Sequence, residues 1–120
     1  MIRIAIFGTG SGGQRAWHAA GDFEGIDVVA FADNDPAKHG TRIHGRPVWS
    51  AEQLAAASSS WDYVLLASQW HAEIADGLAR QRVNRRRMLR FEPVSGPGLL
   101  RRLAERRRPN EKVQVGNELR

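Results

Sequence analysis

The chain has 120 residues, 42% of them hydrophobic and 26% charged, which suits one soluble globular domain with a modest core. No run approaches the ~18 apolar residues of a membrane span, and the opening MIRIAIFG lacks the small-residue cleavage site of a signal peptide. There is no cysteine, which excludes disulfides and thiolate metal sites and leaves the cytoplasm as the expected location. The net charge of +5 is unevenly spread. Residues 1–79 carry five Lys/Arg against nine Asp/Glu, a net of −4, whereas residues 80–120 carry thirteen against four, a net of +9.

Arg3 to Phe7 reads as a short buried strand stopped by Gly8. Gly12 to Ala20 reads as a helix with Ala16, Trp17 and Ala20 on one side. Ile26 to Ala32, IDVVAFA, is a second apolar strand, and DNDPAKHG after it is a turn, with Asp35-Pro36 as the cap of a helical turn. RIHGRPVW is weaker, a loop with a short strand near Val48. Ser50 opens a helix to Ala57 and has Gln53 three residues on, the pattern of a capping box. Trp61 to Ala67 is the third strong strand, and Trp70 to Arg82 is helical. Arg85, Arg86 and Arg87 are expected in a solvated turn, followed by a last strand over Arg87 to Phe91. EPVSGPG breaks it, Leu99 to Arg107 reads as one more helix, and disorder is expected beyond Pro109.

Strands alternating with helices imply parallel strands joined by right-handed crossovers. The expectation is an α/β, Rossmann-like, doubly wound parallel sheet of about five strands in the order 3-2-1-4-5. Residues 1–92 form the nucleotide-binding domain in this reading, and 93–120 a basic C-terminal helix and tail. Ligands of such sheets sit beyond the carboxyl ends of the strands where the order reverses. That point falls between the first strand and the Trp61–Ala67 strand.

Gly8, Gly10 and Gly13 fit G-x-G-x-x-G between a strand and a helix. Gly8 allows the tight turn, Gly10 lets the backbone approach a pyrophosphate, and Gly13 lets the helix pack on the strand. The N–H groups of the helix start, through Gly12, then face the phosphates, and Thr9 and Ser11 add hydroxyls. Asp33 stands twenty residues after Gly13, where a ribose-binding acid is expected. Its carboxylate repels a 2′-phosphate, and Asn34 rather than an arginine follows, with Lys38 the one nearby cation. NAD or another unphosphorylated ribose is therefore favoured over NADP. Ser68, Gln69 and His71 follow the Trp61–Ala67 strand on the ligand side and complete the expected binding set, with Trp70 placed to cover a ring.

The stretches FGTGSGG, FADNDPAKHGTRIHGRPVWSAEQL and DYVLLAS resemble the nucleotide-binding domain at the front of polysaccharide-biosynthesis sugar-nucleotide epimerases and dehydratases. Related modules accompany some sugar acyltransferases and methyltransferases. The resemblance spans about residues 2–92. It implies a module for NAD or a nucleotide-linked sugar, and it carries Gly8, Gly10, Gly13 and Asp33 over as contacts. DVVAFADNDPAK and LLASQWHAEIADGLA are also similar to the NAD-binding half of the glucose–fructose oxidoreductase family. That family's Glu-Lys-Pro triplet is broken here, because Glu92 is followed directly by Pro93.

No catalytic set stands out. Tyr63, the only tyrosine, has Ala67 four places later where the short-chain epimerases have lysine, and it lies in a strand. The G-x-S-x-G elbow would need glycine at Thr9. His18, His39, His44 and His71 form no metal-ligand spacing. The arginine-rich end has no interleaved aromatics, which speaks against nucleic acid. These observations point to a nucleotide-binding module of sugar-nucleotide or surface-polysaccharide metabolism without a complete active site of its own. The expected partners are a nucleotide, a second copy of the chain, or an enzyme of sugar metabolism. Two alternatives stand: a minimal NAD-dependent oxidoreductase or epimerase completed by an oligomer or partner, and an interaction protein with a vestigial site and a basic tail.

Overall fold

The computed structural model describes residues 1–92 and 94–105. Chain order is β1 (Ile2–Phe7), α1 (Ser11–Ala20), β2 (Ile26–Ala32), β3 (Arg42–Ile43), β4 (Arg46–Trp49), α2 (Ala51–Ala56), β5 (Tyr63–Leu66), α3 (His71–Arg80), β6 (Met88–Arg90) and α4 (Gly96–Ala104). Three short 3-10 turns, Pro36–Lys38, Ser58–Ser60 and Arg85–Arg87, lie between them.

The parallel strands run β4-β2-β1-β5-β6, and β3 adds an antiparallel edge beyond β4. Counted among parallel strands alone, this is the expected 3-2-1-4-5. The expected count of about five is corrected to six, because RIHGRPVW is a hairpin. Its two-residue connection, His44-Gly45, has positive φ at both positions, 52° and 76°. That conformation matches the twist of the flanking strands.

β1 shows why the strands read as near-continuous apolar runs. Ile2, Ile4 and Ile6 point to one face, with Ala16 and Ala20 of α1 and Leu100 and Leu103 of α4. Ala5 and Phe7 point to the other, with Leu54 of α2 and Ile74 and Leu78 of α3. A parallel sheet covered by helices on both faces leaves no polar side to alternate. The Ser50 capping box is formed: Gln53 N donates to Ser50 Oγ (3.1 Å) and Ser50 N to Gln53 Oε1 (2.9 Å). The expected boundary after Glu92 falls between β6 and α4, and α4 packs on α1 and β2. The segment beyond Pro109, for which disorder is expected, lies outside the described residues. Among the described residues, no helix is long and apolar enough to cross a membrane.

At the amino-terminal edge of the sheet the structure departs from the solvated turn expected at Arg85–Arg87. Arg85 is exposed and pairs with Asp76 (2.7 Å). Arg87 instead turns inward. Its guanidinium lies 3.9 Å from the Trp61 ring centroid and donates to the carbonyl oxygens of Ser58 (2.6 Å), Asp62 (3.0 Å) and Trp61. Burial and the charge of Arg3 lower its pKa, opposed by Asp62.

Candidate functional site

The carboxyl ends of β2, β1, β5 and β6 open on a cavity of about 710 Å³. It is lined by residues 8–12, Asp33, residues 67–70 and residues 90–92. A volume in the few-hundred to thousand Å³ range suits a small-molecule ligand.

The glycine loop is shaped by close approaches. Gly8 has φ 120°, and a Cβ there would sit 2.8 Å from the Ala67 carbonyl oxygen. Its N–H closes the turn on Ala32 O (2.8 Å). Gly13 is buried beneath the loop, where a Cβ would collide with the Gly8 carbonyl oxygen. Gly10 differs, because a Cβ there would meet nothing within 4 Å. Space at Gly10 belongs to the cavity, not to the fold.

The two α/β helix starts before β5 are finished differently. α2 is closed by its own capping box. α1 begins at Gly10 with no side-chain cap and no acidic residue in its first turn. Its first bond runs from Gln14 N to Gly10 O (3.0 Å), so the N–H groups of Ser11, Gly12 and Gly13 are not used within the helix. With the positive end of the helix dipole, they make the start of α1 electropositive beside the cavity.

Asp33 lies at the β2 end of this edge. Its Oδ2 accepts from Thr9 Oγ1 (2.5 Å) and Thr9 N (3.2 Å), and its Oδ1 accepts from Asp35 N (2.9 Å). Lys38 Nζ donates to Thr9 Oγ1 (2.8 Å). Burial alone would raise the Asp33 pKa, but these hydrogen bonds and the Lys38 charge outweigh it and hold the carboxyl below its usual value. A carboxylate has about four acceptor positions, so one remains on Oδ1 for a ligand hydroxyl.

Ser68, Gln69 and Trp70 line the cavity next to β5. The remaining expected residues stand elsewhere. Asn34 lines a separate cavity of about 330 Å³ between α2 and α3, with Glu52 and Glu73. Successive residues at a strand end point to opposite faces, so Asp33 and Asn34 part company there. His71 is the first residue of α3, half-buried, and is not among the cavity-lining residues. His39 Nε2 donates to Asp33 O (2.7 Å), and His44 stacks on Trp17 (4.6 Å between centroids, 3° between planes). Asp35 caps the Pro36–Lys38 turn by accepting from Ala37 N (3.0 Å).

Arg90, Phe91 and Glu92 line the cavity and were not legible as site residues. The signal was topological. Pairing of Leu66 with Arg90 carries the end of β6 up beside Ala67, so the residues after β6 face the same crevice.

An open parallel sheet with its order reversing between β1 and β5, and a glycine-rich turn into a bare helix at that reversal, defines a Rossmann-like nucleotide-binding fold. The family model described as C2185-like, N-terminal, matches residues 1–89, and the chain belongs to that family. No curated protein matches the chain. Among solved structures, UDP-D-quinovosamine 4-dehydrogenase from Vibrio fischeri is similar at 25% identity and TM-score 0.62, over 78% of this chain and 80% of that one. RSP, a Rex-family repressor, is similar in fold at 22% identity and TM-score 0.61, over 78% of this chain and 46% of the repressor. RSP in complex with beta-NADH is similar at TM-score 0.59 and 22% identity, over 78% and 47% of the two chains.

Proposed function

We propose that the chain is a binding module for NAD or a nucleotide-sugar, with NAD the favoured ligand. The observation that carries this reading is the bare first turn of α1, opening beside a cavity that has the Asp33 carboxylate on its β2 side. The diphosphate would rest on residues 10–13 with the Ser11 hydroxyl at its flank, whereas the Thr9 hydroxyl expected there is spent on Asp33 and Lys38. One ribose would donate to the free position on Asp33 Oδ1. Ser68 and Gln69 would serve the second arm, while Asn34 and His71 would reach a ligand only from outside the cavity wall. The same carboxylate disfavours a 2′-phosphate, which supports NAD over NADP.

The link to sugar-nucleotide metabolism rests on the resemblance of FGTGSGG, FADNDPAKHGTRIHGRPVWSAEQL and DYVLLAS to the sugar-nucleotide epimerases and dehydratases, and on the likeness to a UDP-sugar dehydrogenase. In this reading the chain supplies the nucleotide crevice, and any catalysis is completed by a second copy or a partner enzyme. A bare crevice positions only one reactant, and positioning supplies a large share of enzymatic acceleration.

The test is a thermal-shift panel of NAD, NADP, UDP-sugars and GDP-sugars. Ligand at 100 times its Kd should stabilise by about 2.7 kcal/mol. Gly10→Val then isolates the loop. Its Cβ meets no protein atom, so the variant should fold, while the side chain occupies the place of the diphosphate. Unchanged affinity in folded Gly10→Val would defeat the assignment.

A further inference from the structure

We propose that Trp70 is the stacking platform for the nicotinamide ring at the far end of the bound dinucleotide, an inference that rests on the NAD reading above. Trp70 is 60% exposed and is the one exposed Trp, Tyr or Phe among the described residues. The other three tryptophans are all engaged. Trp61 is buried beneath Arg87, Trp17 lies under His44, and Trp49 packs against the cluster of Phe7 and Leu54. None of the ring contacts among the described residues involves Trp70. Leaving an indole in water forfeits a large apolar contact, which a ligand ring can recover.

The main chain that carries this indole is fixed. Trp70 N donates to Ser68 Oγ (3.1 Å), and Trp70 O accepts from Ile74 N (3.0 Å) as α3 begins. The backbone is therefore held on both sides while the ring remains available in the cavity wall.

Topology says which part of a ligand lies there. Along the carboxyl edge the order is β2, β1, β5, β6, so Asp33, the α1 turn, Trp70 and residues 90–92 follow one another across the crevice. At about 4.8 Å per strand, β2 and β6 stand about 14 Å apart. A ribose on Asp33 and a diphosphate on α1 use only the β2–β1 half. The β5–β6 half is left for a second arm, and of the two aromatic residues lining it Phe91 is buried and Trp70 is the exposed one. The Arg90–Glu92 ion pair (2.9 Å) borders this half and leaves it without a net charge of its own. A planar ring fits that surroundings better than another phosphate. Oxidised nicotinamide is cationic as well as planar, and tryptophan is the strongest aromatic partner for a cation.

The experiment compares NAD with ADP-ribose, which keeps both riboses and the diphosphate but ends without the ring. Both are titrated by calorimetry into the unmodified protein, Trp70→Ala and Trp70→Phe. Trp70→Ala should weaken NAD about tenfold, in line with stacking on an aromatic side chain, and leave ADP-ribose within about twofold. Trp70→Phe should keep most of the NAD affinity. Because the ring is exposed, melting temperatures of the three proteins should agree. Unchanged NAD affinity in Trp70→Ala, or an equal loss for both ligands, overturns the stacking role while leaving the NAD reading intact. If the unmodified protein binds neither ligand, both readings fall together.

Discussion

The two ends of the sheet hold similar chemistry and use it in opposite ways. Each has a tryptophan, an arginine, an aspartate and a cavity: Trp70, Arg90 and Asp33 at the carboxyl end, and Trp61, Arg87 and Asp62 at the amino end, where the last three line a cavity of about 480 Å³. At the amino-terminal end the groups are consumed by the protein. Arg87 covers Trp61 and takes up carbonyls, and Asp62 accepts from Arg3 N (2.8 Å) and pairs with its guanidinium (3.3 Å). At the carboxyl end the helix start is uncapped, one Asp33 acceptor position is free, and Trp70 stands in solvent. Residue types do not separate a site from a scaffold here. What separates them is how many of the polar and aromatic groups remain unspent after folding.

The largest effect should come from breaking the closed end. Trp61 is 1% exposed, and its Nε1 donates to Leu54 O (3.0 Å). Trp61→Ala should cost about 3–5 kcal/mol of stability in urea unfolding, as large aromatic truncations do. Trp70→Ala at the open end should cost less than about 0.5 kcal/mol, the usual range for exposed positions. Similar costs at the two positions would erase the contrast.

The glycine loop contains the same comparison within four residues. Gly13→Ala forces a Cβ onto the Gly8 carbonyl and should cost about 1–3 kcal/mol or more, as overpacking does. Gly10→Ala has open space and should cost less, about 0.5–1 kcal/mol, the scale of replacing an N-cap glycine by alanine. Chemical unfolding of the two variants measures both. If Gly10→Ala were the costlier, the space at Gly10 would be part of the fold and not of a ligand site.

These contrasts also show what was legible in the sequence. The strand order followed from alternating apolar runs, because right-handed crossovers leave few arrangements. The loop and Asp33 were legible because crowding of the backbone requires glycine at Gly8 and Gly13 and spacing marks the acid after the second strand. The hairpin at His44-Gly45 was not, since its strands are short, contain Arg42, Arg46 and Pro47, and turn on a histidine where Asn or Asp is the usual signal. Nor was Arg87, which reads as one of three equivalent arginines until tertiary structure brings the carbonyls of residues 58–62 to it. The division of Asp33 from Asn34, and the arrival of Arg90 and Glu92, depend on face and register, which spacing alone does not convey.

Arg87 sharpens the closed end further. Arg87→Met keeps much of the packing over Trp61 but strands the carbonyls of Ser58, Trp61 and Asp62. Unsatisfied acceptors of this kind cost about 1–3 kcal/mol in total stability where water cannot replace the donor. The expected readout is a lower urea midpoint with an unchanged slope. A variant as stable as the parent would mean that water satisfies those carbonyls, and that the closed end is more open than its geometry indicates.

The smallest effect tests the aspartate of the open end. Asp33 has a folded pKa below the ordinary carboxylate value, held there by Thr9, the Asp35 N–H and Lys38 against the opposing effect of burial. A depressed carboxylate contributes stability that is complete above its unfolded pKa of about 3.9 and is lost as pH falls through the folded value. Asp33→Asn keeps an acceptor for Thr9 but removes the charge that attracts Lys38. The stability difference between parent and variant should therefore be flat above about pH 5 and shrink toward zero as both become neutral at lower pH. Its plateau should be under about 1 kcal/mol, the scale of partly exposed ion pairs. Urea midpoints for both proteins from acid to neutral pH give this difference directly, because the other carboxylates titrate in both and cancel. A difference that grows as pH falls would mean burial dominates at Asp33, raising its pKa. Asp33 would then be a spent, closed-end kind of group, and its free Oδ1 position would no longer distinguish the two ends of the sheet.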